Sequence, residues 1–426
     1  MKLKISEIIS NSTFKNGIWL YIFQIFNLII PLITLPYITR VLGKETYGVF
    51  SASLNIIMYL NVIVAYGFDL IGAKKASTAK DRNELQTIYS SIFTIKLWLL
   101  ILSFIVMLIL VLVFKIPHHD FLIMFALFLL VIGNMLQQVW LFHGIQLMKI
   151  QTLANIVFKS ISVALVFLIV NNSNHLLLYS FLYASTFFLT GIFSHIYIRY
   201  FIGLEIKKIE FIQIKEYLIE GLPTFFTSIA SSIYSGVGIT ILVIFSTDDI
   251  VGGYSAIFKI PGIIISLFSP ILQALFPLIS KYYSISLKKG FSVLKTAIIF
   301  IMPLIILAFI IMAILSKPIV EIIFGNEYLE FSWLLYPFGV WMIFGILNNL
   351  LGIQGLVASG NQKLYSKSFF IGVITVLVLS ITLGYYFNVL GVAIATMISE
   401  IILSISILIN IIRRINYEKS NGSIWD

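Results

Sequence analysis

Lys96, Lys159 and Lys259 each stand about seven or eight residues, roughly 12 Å of helix rise, inside a long apolar run. An ammonium at that depth costs at least a few kcal/mol unless it is paired or hydrated. Three such groups are what a wet, cationic cavity would present to an anionic ligand. The plainer reading is snorkelling, in which the four-carbon stem carries the charge back to the interface. Glu400 stands deeper, nearest mid-membrane in the last apolar run. A carboxyl there can exchange a proton or hold a cation, or it can pair with a buried lysine. Asp69 falls near the end of the second run; it is the other acidic candidate for a coupling ion and reads as interfacial. Arg40 lies at the outer end of the first run, where it either binds phosphate or ends the span. Gln24, Asn27, Asn55, Asn61, Asn134, Gln137, Gln138, Asn348 and Asn349 are amides within the runs. They suit sugar hydroxyls, and equally suit hydrogen bonds between neighbouring helices.

Other chemistries are absent from the sequence. Without cysteine there is no disulfide framework, thiol nucleophile or thiolate metal site. No Walker loop and no H-E-x-x-H motif occurs. His118-His119-Asp120 is the one tempting metal trio, but it falls in a short outer loop and is not assigned a metal. No paired-carboxylate hydrolase site is visible. The chain therefore reads as a non-enzyme with no cofactor, and with proton or sodium as the candidate coupling ion.

The elements that position these groups follow from composition. The chain has 426 residues, 60% of them apolar and 11% charged, with a mean hydropathy of +1.04. A soluble chain carries roughly 25% charge. The excess of apolar residues excludes soluble, disordered and secreted disulfide-rich classes and leaves a polytopic membrane protein. The runs are too long for barrel strands. Each spanning helix takes about 20 residues. The charge-free runs place twelve helices at about 16–39, 46–71, 88–114, 121–143, 152–170, 176–200, 221–246, 251–279, 293–315, 331–353, 366–387 and 389–412. The first run is too long for the core of a cleaved signal peptide and reads as a retained helix.

Lysine and arginine set the orientation. With the N-terminus inside, 21 of the 28 fall on cytoplasmic segments and 4 on outer loops; the remaining three are the lysines within helices. Both termini are then cytoplasmic. The net charge of +10 is a topology anchor facing anionic lipid, not a nucleic-acid footprint, since no basic face with stacking aromatics lies outside the membrane.

The chain also repeats. Gly17 and Gly221 open equivalent helices, and Gly48-Val49-Phe50-Ser51-Ala52 matches Gly252-Gly253-Tyr254-Ser255-Ala256 at the same offset of 204. The expected organisation is an N-terminal lobe at 1–200, a cytoplasmic linker at 201–220, a C-terminal lobe at 221–412 and a tail at 413–426. Six helices per lobe make a parallel repeat, and transporters of that kind bind substrate between the halves. By the offset, Asn55 is the counterpart of Lys259.

Arg40-Val41-Leu42-Gly43, three residues, then Tyr47-Gly48 gives R-x-L-G-x-x-x-Y-G across the first helix junction. With Pro31 and Pro36 before it and the Lys74-Lys75 loop after it, the chain resembles the polysaccharide exporters of the multidrug/oligosaccharidyl-lipid/polysaccharide flippase superfamily, in particular O-antigen flippases. The resemblance implies an all-α, two-lobed protein of the bacterial inner membrane. It implies movement of undecaprenyl-pyrophosphate-linked oligosaccharides to the outer face for O-antigen or related surface polysaccharide synthesis. A polysaccharide polymerase and chain-length proteins are the implied partners, besides membrane lipid. Substrate binding would then fall to Arg40, Lys96, Lys159, Lys259 and Asn55. A cation-coupled drug or small-solute antiporter on the same scaffold is the alternative. A membrane polysaccharide polymerase is disfavoured, because the longest outer loop spans only about 316–330.

Overall fold

The computed structural model describes residues 12–420. Its elements are α1 (Ser12–Ala65), α2 (Phe68–Thr78), α3 (Arg82–Val113), α4 (His118–Gln137), α5 (Val139–Gly144), α6 (Met148–Ile169), α7 (Leu176–Tyr197), α8 (Phe211–Phe245), α9 (Asp248–Ile285), α10 (Leu287–Ile314), α11 (Ser316–Phe324), α12 (Leu335–Asn348) and α13 (Gln362–Ser420). Among the described residues, ten helical stretches are long and apolar enough to cross a membrane. Two of these, Gly17–Thr78 with 62 residues and Gln362–Asn416 with 55, are far longer than one crossing requires. Each contains a point of non-helical backbone at which one span gives way to the next. In α1 the break is Gly43 (φ 73°), inside the R-x-L-G motif, where the absent Cβ admits a positive φ. In α13 it is Asn388 (φ 52°), where Gly391 lies so close to the Leu383 carbonyl that a Cβ would stand 1.9 Å from it. Counting both arms of each gives the twelve spans expected from the sequence.

Two boundaries differ from the expected ones for local reasons. The second span stops at Ala65, because Tyr66 (φ 48°) and Gly67 (φ 77°) turn the backbone left-handed before α2 begins. Tyr66 stacks on Phe225 with ring centroids 4.5 Å apart, and a Cβ on Gly67 would meet Thr224 at 2.6 Å. The expected outer loop at 316–330 is instead α11 followed by a 3-10 helix at Asn326–Leu334. This segment buries Val320, Phe324 and Tyr328, so its apolar residues are used for packing.

The chain forms two compact units, Met1–Ser232 and Ile233–Asp426, and α8 runs across the boundary. In the first unit α4 and α7 are the most intimate pair. A Cβ on Gly133 would fall 2.3 Å from the Phe187 backbone, and one on Gly191 would fall 2.5 Å from the Gly133 carbonyl oxygen. Small residues let two membrane helices touch backbone to backbone, where dispersion replaces the missing hydrophobic drive. Gly133→Val is therefore expected to cost at least about 1–3 kcal/mol by overpacking. Thermal unfolding of the purified variant should show a lowered midpoint; an unchanged midpoint would mean that the crossing is loose. In the second unit, Leu351, Leu356, Leu403, Ile407 and Ile411 form a buried cluster, and Tyr254, Phe258, Phe338 and Trp341 pack ring against ring.

Candidate functional site

Three sets of polar side chains in the first unit involve residues singled out by the sequence. Lys159 of α6 donates from Nζ to Asn27 Oδ1 of α1 at 2.5 Å. This half-buried ammonium is held by a neutral amide and pairs with no acid among the described residues. A second set is a chain of hydrogen bonds crossing four helices. The Ser194 hydroxyl donates to Gln151 at 2.8 Å, Gln151 to Gln137 at 2.9 Å, Gln137 to Asn134 at 3.4 Å, and Asn134 to Asn61 at 3.0 Å. Every donor points the same way, so each bond polarises the next. Asn61 and Asn134, at the receiving end, are only half-buried. The third set is an ion pair. Lys96 Nζ lies 3.5 Å from Asp69 Oδ1, with the lysine side chain 4% exposed and the aspartate 62% exposed. The turn at Tyr66-Gly67 sets Asp69 in the first turn of α2, where a carboxylate also meets the positive end of the helix dipole.

In the second unit Glu400 of α13 is buried. The Asn348 side-chain amide donates both to its carboxylate and, at 3.0 Å, to its backbone carbonyl. Ser404 in turn donates to the Asn348 side-chain oxygen, and the Tyr234 hydroxyl lies beside the carboxylate. Gly345 leaves room for it, since a Cβ there would stand 4.0 Å from Oε1. Glu400 forms no ion pair with any described residue, so the lysine pairing left open by the sequence is not made there. Asn348 ends α12, and a π-helical segment, Asn349–Val357, follows it. Such widened turns are frequent at functional sites.

Lys259, also in the second unit, is on α9 and is exposed. At 100° per residue α9 has three faces. Tyr254, Ile257, Pro261, Leu272, Ile279 and Tyr283 are buried and share one face. The exposed apolar residues Leu267, Ile271, Leu278 and Ile285 share a second. Lys259, Gly262, Ser266, Ser269 and Gln273 share a third, about 140° around the axis from the exposed apolar face. Nothing lies within 4 Å of a Cβ placed on Gly262. Gln273 donates to Ser269 at 3.0 Å and Ser266 to the Gly262 carbonyl at 2.8 Å. The result is a polar stripe about 21 Å long, open to one side and headed by an ammonium.

Two sequence candidates remain. Arg40 is exposed near the Gly43 break, and Asn55 is half-buried on the arm beyond it. Several members of these arrangements escaped sequence reasoning. Gln151 and Ser194 are polar residues whose pairing, 43 positions apart, shows only once the helices are packed. The α9 stripe was legible as residues spaced three or four apart from Lys259.

The chain is 27% identical over 395 residues to an Escherichia coli (strain K12) protein named "Putative O-antigen transporter", covering 91% of this chain and 93% of that one. Among solved structures, an inward-facing MATE family multidrug resistance transporter superposes with a TM-score of 0.72 at 13% identity, covering 92% of this chain and 96% of its own. The lipid II flippase MurJ, in its inward closed conformation, gives 0.65 at 16%, covering 93% and 87%. At such identities the likeness is one of fold, and it extends over the whole set of helices described above. Residues 13–283, well over half of the chain, match the family described as "Polysaccharide biosynthesis protein", and the chain belongs to that family.

Proposed function

We propose that this protein is a flippase for lipid-linked glycans of the bacterial inner membrane. Its substrate is an undecaprenyl-pyrophosphate-linked oligosaccharide repeat unit, carried by alternating access from the cytoplasmic to the outer face for O-antigen or related surface polysaccharide synthesis. The observation that carries the reading is the α9 stripe. A lipid-linked sugar pyrophosphate presents hydroxyls and a diphosphate, neither of which crosses hydrocarbon unaided. The stripe offers amide and hydroxyl partners for the first and the Lys259 ammonium for the second, on a face turned away from the exposed apolar one. Lys159, held by Asn27, is a second cation suited to phosphate. Lys96 is engaged by Asp69, so its part in substrate binding would require that pair to open. Arg40 and Asn55 are assigned secondary contacts. Glu400 is the proposed coupling site for a proton or sodium ion, and the exposed Asp69 is the lesser candidate.

Deleting the protein should stop assembly of the surface polysaccharide and leave lipid-linked repeat units in the membrane. Unchanged polysaccharide together with altered drug tolerance would favour an antiporter instead. The proposed orientation puts both termini and the loops near residues 80, 210 and 285 in the cytoplasm. Because the chain has no cysteine, single cysteines introduced there are expected to resist a membrane-impermeant maleimide added from outside. Labelling at residue 210 would break the twelve-span arrangement.

A further inference from the structure

Asn155 of α6 carries a buried polar atom that the fold does not use. The residue is 6% exposed, and its side-chain oxygen has no hydrogen-bond partner among the described residues. A buried acceptor left unmade costs stability, so native proteins keep few of them and each calls for an explanation. Lys159 stands one turn further along α6, about 6 Å of rise, on the same face. Its ammonium has three N–H groups and spends one on Asn27 Oδ1 at 2.5 Å. The neighbouring amides are committed elsewhere. Asn27 donates to the Phe23 carbonyl at 2.9 Å. Gln151, one turn before Asn155, donates to Gln137 at 2.9 Å and accepts from Ser194 at 2.8 Å.

These groups face into the first unit and away from lipid. In α6 the exposed apolar residues Leu153, Val157, Ile161 and Leu168 share one face, and Asn155 and Lys159 lie about 160° around the axis from it. In α1 Ile18, Ile22, Ile25 and Ile29 are exposed on one face, and Asn27 lies about 170° around from it. A lysine that snorkels to a phospholipid headgroup projects from the lipid-facing side instead.

We propose that Asn155, Lys159 and Asn27 form a subsite for a glycosyl phosphate, the first sugar of the glycan together with the phosphate it is joined to. The two unspent N–H groups of the ammonium suit phosphate oxygens. The Asn155 oxygen takes only a donor, which an ionised phosphate diester does not supply. The substituent beside the phosphate-bearing carbon of the sugar, a hydroxyl or an acetamido N–H, supplies it. An anion alone would leave Asn155 unused, and a neutral sugar would leave the ammonium without a counter-charge. The inference rests on the lipid-linked glycan proposed above and adds which part of it the first unit holds, and by which atoms.

Titration calorimetry of the full chain in phosphatidylcholine nanodiscs tests this with four soluble probes: glucose 1-phosphate, 2-deoxyglucose 1-phosphate, glucuronic acid and inorganic phosphate. Glucose 1-phosphate should bind about two- to tenfold more tightly than its 2-deoxy analogue, the worth of one neutral hydrogen bond. Asn155→Leu should erase that difference without lowering the thermal midpoint, since the oxygen it removes has no partner to lose. Asn155→Ala serves the same purpose if the first variant does not fold. Lys159→Gln should weaken both esters by about ten- to a hundredfold. Discrimination that survives in Asn155→Leu would remove Asn155 from the site, and a lowered midpoint would make it a structural residue. Glucuronic acid bound as tightly as glucose 1-phosphate would make the ligand an acidic sugar and overturn the assignment to phosphate. Equal binding of both esters and inorganic phosphate would leave a plain anion site, and no saturable binding would overturn the proposal outright. Any of these results with polysaccharide assembly still dependent on the protein would reject the subsite alone. Discrimination lost in Asn155→Leu, in a protein whose deletion leaves the polysaccharide intact, would reject the transport reading alone.

Discussion

Glu400→Gln is expected to leave a folded, membrane-inserted protein whose transport falls by about 5- to 150-fold, the range that coupling free energies of about 1–3 kcal/mol produce. The substitution is informative because glutamine still offers an oxygen to the Asn348 amide, which donates to the carboxylate in the native protein. Packing is preserved, and only the capacity to carry a proton or balance a cation is removed. Glu400→Ala makes the contrast. It leaves the buried Asn348 amide without its side-chain acceptor, a loss worth about 1–3 kcal/mol, and should lower abundance as well as transport. Residual transport by Glu400→Gln should no longer respond to collapse of the ion gradient. Native-level, gradient-sensitive transport in that variant would remove Glu400 from coupling and leave the carboxyl a structural one.

Lys259→Ala is expected to reduce transport by about ten- to a hundredfold, as the loss of a charge-assisted hydrogen bond of about 1.5–3 kcal/mol implies. Stability should be little changed, because Lys259 is exposed. Lys259→Arg should retain part of the activity, since the diphosphate requires the positive charge more than its shape. Complementation of a deletion strain, with membrane abundance measured in parallel, reads both variants. Full activity in Lys259→Ala at normal abundance would mean that the lysine only hydrates at the helix surface, and the cationic role would fall to Lys159.

The helices were legible because the bilayer imposes one simple rule. A charge-free run of about 20 residues has to span. Their breaks were less so. Gly43 and Asn388 fall at the expected junctions, but Tyr66 adopts its left-handed conformation through packing on Phe225, a residue distant in sequence. Run length also hid α11, whose Ser316–Phe324 turns pack Val320 and Phe324 inward where a loop was expected. For the polar groups the limit was of another kind. Sequence identifies Lys96, Lys159 and Lys259 as equal intruders in apolar surroundings, yet each meets a different environment. One faces an aspartate, one an amide, and one an open polar stripe. Those partners lie on other helices or on the same helix face, and pairing across helices leaves no trace in a single run. Asn348 and Glu400 are likewise 52 residues apart. Glu400 was singled out by depth alone, and the amide that addresses it became visible only in the packed unit.

The central claim is that the protein carries lipid-linked glycan across the membrane, and the sidedness of that glycan tests it most directly. In a strain depleted of the protein, lipid-linked repeat units should accumulate and remain inaccessible to a membrane-impermeant glycan-modifying reagent added to the outer face. Restoring the native protein should expose them, and Lys259→Ala should do so far less. Repeat units equally accessible in depleted and restored cells would contradict the account, whatever else the protein transports.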